Sequence, residues 1–148
     1  MSVLGVKVSA IAEAIATQTL TLSGWQESVY VFESLGRDPA SVAHLAFAIG
    51  TPNSAATGGR QNAKSPIFTA TKIVVRFLTR VRPKDQVVSQ REGLDAEDAL
   101  IRKLTLATET WPGTFILEFV SADRAPAFSS EWTRHDVTFT ARHWLALT

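Results

Sequence analysis

Residues 68–81 alternate between apolar and polar positions in the way a half-buried strand does. Ile73, Val75, Phe77 and Val81 fall on one face, and Lys72, Arg76 and Arg80 on the other. A turn over Arg82, Pro83, Lys84 and Asp85 follows, and the chain continues through Gln86, Val87, Val88 and Ser89. The period then changes. Ala96, Leu100, Leu104 and Ala107 recur at helical spacing, which predicts a helix over 94–104 with one apolar stripe. An apolar strand face followed by an apolar helix stripe implies a helix lying on a sheet.

The same reading extends to the rest of the chain. Residues 8–20 predict a helix with Ile11, Ala14 and Ile15 on one side and Ser9 as N-cap, stopped at Ser23 and Gly24. Residues 25–32 are aromatic and apolar without a clear period, and Asp38 to Ser41 reads as a turn or a short helix start. Residues 43–49 predict a strand with Leu45, Phe47 and Ile49 on one face. Residues 51–66 carry two Gly, two Pro and no large apolar side chain, so they read as one long flexible loop. Trp111, Pro112 and Gly113 form a turn. Residues 114–121 predict a strand with Phe115, Leu117 and Phe119 on one face, and 122–130 a second loop. Residues 132–147 are the longest strand candidate, with His135, Val137, Phe139, Ala141, His143, Leu145 and Leu147 on one side. Four strands and two helices in this order, without strand–helix–strand alternation, predict an α+β fold. Its sheet is mainly antiparallel, with about four strands and two helices packed on one face.

Composition narrows the class. The 148 residues suit a single domain spanning 1–148, with no internal repeat or boundary. Cysteine is absent, which removes disulfides, thiolate nucleophiles and Cys-based zinc sites. Fifteen Lys and Arg against fourteen Asp and Glu give a net charge of +1, too balanced for a chain whose main task is gripping nucleic acid. No apolar run approaches the ~20 residues that span a bilayer. The N-terminus lacks a basic region ahead of an apolar core, which argues against a signal peptide. No membrane partner is expected.

Candidate chemistry is sparse. His135 and His143 lie about 26 Å apart along one strand, at ~3.3 Å per residue, so they do not bind one metal. Asp95, Glu97 and Asp98 read as an acidic cluster at a helix start, where the helix dipole favours them. Gly58, Gly59 and Arg60 lack the spacing and the lysine of a phosphate-binding loop, and no nucleophile elbow is present. No catalytic, cofactor or metal residue is therefore assigned, and no enzyme is expected. Lys72, Arg76 and Arg80 read either as a solvated outer face or as an interface with an acidic partner or passing DNA. Trp111, Trp132 and Trp144 are core or interface anchors, with Trp144 on the polar face of its strand. Arg60, Lys64, Lys72, Arg76, Arg80 and Trp144 are thus the candidate contacts.

Residues 35–50 leading into Gly58, Gly59, Arg60 and Gln61, and residues 75–86 leading into 94–101, resemble the tail terminators of long-tailed phages and prophages. The resemblance covers most of the chain as element order and these stretches in residues. It implies a structural α+β subunit that forms a homo-oligomeric, hexameric ring, caps the tail tube and joins the tail to the head. The implied partners are the tail tube protein, the head–neck connector protein and DNA passing through the channel without sequence recognition. The implied location is the tail–neck junction of the virion, assembled in the host cytoplasm. Other neck or tail-tube subunits share a similar shape, and a monomeric α+β binding domain is the remaining alternative.

Overall fold

The computed structural model describes residues 5–57, 67–107 and 115–145. In chain order these form α1 (Val8–Thr19), β1 (Gln26–Glu27), a short 3-10 turn (Pro39–Ser41), β2 (Ala46–Ala56), β3 (Ile67–Arg80), α2 (Gln86–Leu106), β4 (Phe115–Pro126) and β5 (Trp132–Leu145). One five-stranded sheet runs in the order β1-β2-β3-β5-β4. Every pairing between these strands is antiparallel except the two-residue contact of β1 with β2, and an isolated parallel bridge joins Val6 to Leu145. The α+β class is as expected, and β1 is the strand that the periodless 25–32 stretch concealed.

β3 lies at the centre, bonded along its length to β5 and on its other side to β2. Its front face carries Ile73, Val75 and Phe77, which pack with Phe47, Phe139, Val137 and Leu117 beneath Ile11, Ile15, Leu100 and Leu104 of the two helices. The apolar spacings read from the sequence are therefore the ones that build the core. The back face is not bare. Leu78, Ala46 and Ala48 pack against Leu35, Phe32, Ala43, Ala127 and Trp132. The chain between β1 and β2 thus folds over half of the sheet's second side. Asp38 caps the short turn in this cover, its side chain accepting from the Ala40 N–H at 2.9 Å.

Several element bounds differ from the sequence reading. α2 begins at Gln86, not at 94, and Val87 and Val88 are exposed on its outer side. A β-branched residue carries only a small helix penalty, so neither valine stops the helix. Asp95, Glu97 and Asp98 consequently lie mid-helix. Ser9 is inside α1, whose N-cap is Lys7 without a side-chain bond. β2 begins at Ala46 and runs through Ala56, so residues 51–56 are strand rather than loop. Pro52 fits because it sits in the register shift between Gly50 and Asn53, where a missing N–H is tolerated. β4 continues to Pro126, across most of the expected second loop. Residues 58–66, Trp111 to Gly113 and Leu147 lie outside the described residues.

Gly50 shows how tightly the cover is seated. A Cβ at this position would stand 2.8 Å from the Phe32 ring, inside contact distance. Gly50→Ala is expected to lift Phe32 off the strand and cost about 1–3 kcal/mol through overpacking. A urea-unfolding midpoint unchanged from the parent would contradict this.

Candidate assembly surface

The three bases predicted as one stripe share the back face of β3 but meet different surroundings. Arg76 is mostly buried and bound within the chain. Its Nε and one terminal nitrogen donate to the two Asp136 carboxylate oxygens at 2.7 and 3.1 Å. Its other terminal nitrogen donates to the Phe32 carbonyl at 3.0 Å, and the guanidinium lies 4.0 Å from the Phe32 ring centroid. This bidentate, stacked geometry is one that Lys cannot reproduce. Arg76 therefore fastens the cover to the sheet. Lys72 and Arg80 are exposed and make no ion pair among the described residues. Trp144 is half-buried, its ring tilted against Phe68 at 5.0 Å on the same face. Arg60 and Lys64 lie outside the described residues.

Among the described residues, the half of the back face beyond the cover is open. Phe68 and Trp144, Lys72, Arg142 paired with Glu118 at 3.3 Å, and the exposed Ile116 line it. Apolar side chains set among charged ones are the usual make-up of a protein contact.

Beneath α2 lies a polar network that sequence reading did not assemble. The Glu97 side chain is 2% exposed. It accepts two bonds from Arg124, at 2.6 and 2.7 Å, and one from His135 Nδ1 at 2.5 Å. Because the carboxylate only accepts, Nδ1 carries the proton, and Nε2 accepts from the Thr79 hydroxyl at 2.8 Å. Burial pushes His135 below its ordinary value, against the opposing pull of Glu97. The Arg124 guanidinium, hydrogen-bonded to Glu97, is pushed the other way, and both shifts agree with a neutral imidazole beside an ion pair.

Backbone features aim this network. A register shift between Phe119 and Ser121 reverses the alternation of β4, so Ala122 and Arg124 pair with the inward Val137 and His135. Without it, Asp123 would face the helix. Gly93 lets α2 approach, since a Cβ there would stand 3.1 Å from both His135 and Thr79. A legible hint existed: Glu97, Leu100 and Leu104 fall at i, i+3 and i+7, which puts the carboxylate on the buried stripe.

Thr79, His135 and Glu97 have the order of a hydroxyl–imidazole–carboxylate triad. A nucleophile must meet substrate, however, and Thr79 is 3% exposed and covered by Gly93. The relay joins α2 to three strands. At the other end of β5, His143 Nε2 bonds Thr71 Oγ1 at 2.8 Å, and Thr71 bonds Ser54 at 2.9 Å. Burial lowers His143 and His44 as well. Among the described residues no His, Cys, Asp and Glu group could hold a metal ion, and no helix is long and apolar enough to cross a membrane.

The described residues define a two-layered α+β protein in which Glu97, Arg124, His135 and Thr79 bind one another, and in which strand edges and half a sheet are left open. The same fold is found in a solved chain from the virion of a native gene transfer agent particle. The two superpose with a TM-score of 0.63 at 15% identity, over 92% of this chain and 96% of that one. No protein-family model and no curated protein matches the chain. The likeness is therefore one of fold.

Arg76→Gln should cost about 2–3 kcal/mol, because it leaves Asp136 in a largely buried setting with only the longer Arg134 contact at 3.7 Å and removes the bond to the Phe32 carbonyl. Lys72→Gln and Arg80→Gln should each change stability by less than about 0.5 kcal/mol. Urea unfolding of the three variants checks the contrast, and three equal effects would refute it.

The histidines set a pH dependence. His44, His135 and His143 are all lowered in the folded chain, so the unfolded chain takes up their protons first. Their contribution is complete above the ordinary value of 6.5 and is lost as pH falls through the lowered folded values. Melting temperature should fall between about pH 7 and about pH 5. A flat profile there would mean that these imidazoles charge without unfolding.

Proposed function

We propose that this chain is a structural subunit of a phage-type virion, and within it a tail terminator: a ring that caps the tail tube and joins it to the head. The observation that carries the reading is the shared fold with a gene transfer agent virion chain, end to end in both molecules. The residue resemblance over 35–50 and 58–61, and over 75–86 and 94–101, points to the terminator among tail components. The polar chemistry fits a building block, since the triad-like hydroxyl is sealed and the remaining buried charges are matched inside the fold. In this reading the partners are further copies of the chain, the tube protein and the connector, with DNA passing through the bore.

Lys72 and Arg80 are the exposed ends of the basic stripe, and they contact a neighbouring subunit rather than line the channel. A strongly basic wall would hold phosphate-rich DNA back by counterion release. Arg76 belongs to the fold and not to this contact.

The purified protein should form rings in solution or on isolated tail tubes, resolved by native mass and electron microscopy. A combined Lys72→Gln, Arg80→Gln variant should fold like the parent yet assemble less, with a weaker response to added salt. Assembly and salt response equal to the parent would return these residues to plain solvent. A protein that stays monomeric with tubes present would overturn the ring.

A further inference from the structure

Among the described residues the sheet has two open edges, one on each side. There β2 is paired on its outer side by β1, at Ala46 and Phe47, and by the Ser28 N–H to the Phe47 carbonyl. No described strand lies beside residues 49–56 on that side. β4 ends the sheet on the other side. Long exposed edges are ordinarily guarded by charges, prolines or bulges. Residues 49–56 have Pro52 and a register shift but no charged side chain, and β4 has Glu118, Asp123, the inward Arg124, Pro126 and a register shift but no Lys. Exposed apolar residues also gather beside both edges. Val29 and Val31 stand at the lip of a cavity of about 470 Å³ that runs along residues 48–52, and Ile116, Phe119 and Val120 project from β4.

Strand direction selects the occupant. β2 and β5 run one way, β3 and β4 the other. A second copy in the same orientation therefore presents its β2 antiparallel to the first copy's β4, and the alternation continues unbroken. That contact is head-to-tail, the kind that closes into a ring and leaves no edge free. Pairing β2 with β2, or β4 with β4, would need a two-fold axis and would leave two edges open.

We infer that residues 49–56 of one subunit pair with the β4 edge of the next, so that the sheet runs continuously through the assembly. This rests on the reading of the chain as a ring subunit and names the surface that makes the ring. The small side chains of residues 51–56, exposed on both faces of the sheet, let the neighbour's Ile116 and Val120 be covered as the strands approach.

The absence of native cysteine makes the test direct. Asn53, Ala55, Ile116 and Glu118 are exposed, and their pairings place all four on the back face. Asn53→Cys or Ala55→Cys is combined with Ile116→Cys or Glu118→Cys, and the four pairs sample neighbouring registers. Reduced samples are first checked for the parental melting temperature. Mild oxidation of at least one pair should yield a ladder of covalent multimers on a non-reducing gel, while each single variant stays monomeric on it. A single variant that gives covalent dimers would establish an edge paired with itself and overturn the proposal. Rings that form with no ladder from any pair would also overturn it, and would leave the ring itself standing. A parent protein that never oligomerises would remove both.

Discussion

Glu97 lies under α2 with 2% of its side chain exposed, and a carboxylate removed from water must be matched by donors. Three donors meet it, and each demands something of the backbone. Arg124 reaches it because β4 shifts register between Phe119 and Ser121. His135 reaches it from the central part of the sheet, stacked on Phe77 at 4.5 Å and held at its other nitrogen by Thr79. The helix approaches closely enough because residue 93 has no side chain. One buried charge thus ties α2 to β3, β4 and β5 in a single relative placement. An apolar core of Leu100, Phe139 and Val137 would hold these layers together but would specify their register less sharply.

A second ion pair organises the opposite side. Arg76 and Asp136 are direct cross-strand partners on β3 and β5, and the Arg76 guanidinium also reaches the Phe32 carbonyl and ring. The irregular segment between β1 and β2 is bonded within itself by a series of turns, and this clamp, with Leu35 and Phe32 packing over Leu78 and Ala48, seats it on the sheet. The cover ends partway along the sheet. Beyond it, β2 and β3 continue with small or exposed side chains, and the sheet offers a face and two edges.

That division of labour suits a protein that assembles. Glu97 and Arg76 are matched internally and fix the subunit, while the open half of the sheet keeps Lys72, Trp144 and Ile116 at the surface. The virion chain that shares this fold has only 15% of its residues in common with this one. A common arrangement of layers can therefore persist while most residues differ.

By itself the sequence determined the elements whose periodicity is strong. The two-residue alternation of β3 and β5 and the helical stripe of Leu100 and Leu104 name the core residues, because a side chain's direction in a regular element follows from its position in the repeat. The α+β class follows from their order. Only the tertiary structure decided where weak local signals were overruled. The start of α2 at Gln86, the strand through Pro52 and the strand to Pro126 depend on pairing partners far away in the chain. It also decided the meaning of single charges. Arg76 and Lys72 occupy equivalent positions in the alternation of β3, yet one clamps a partly buried carboxylate and the other meets solvent, because Asp136 and Phe32 stand opposite only the first. Glu97 reads as a helix-dipole residue until a shift in a distant strand brings Arg124 beside it. Local preferences are carried by neighbouring residues, whereas matching a buried charge needs partners that only the folded chain brings together.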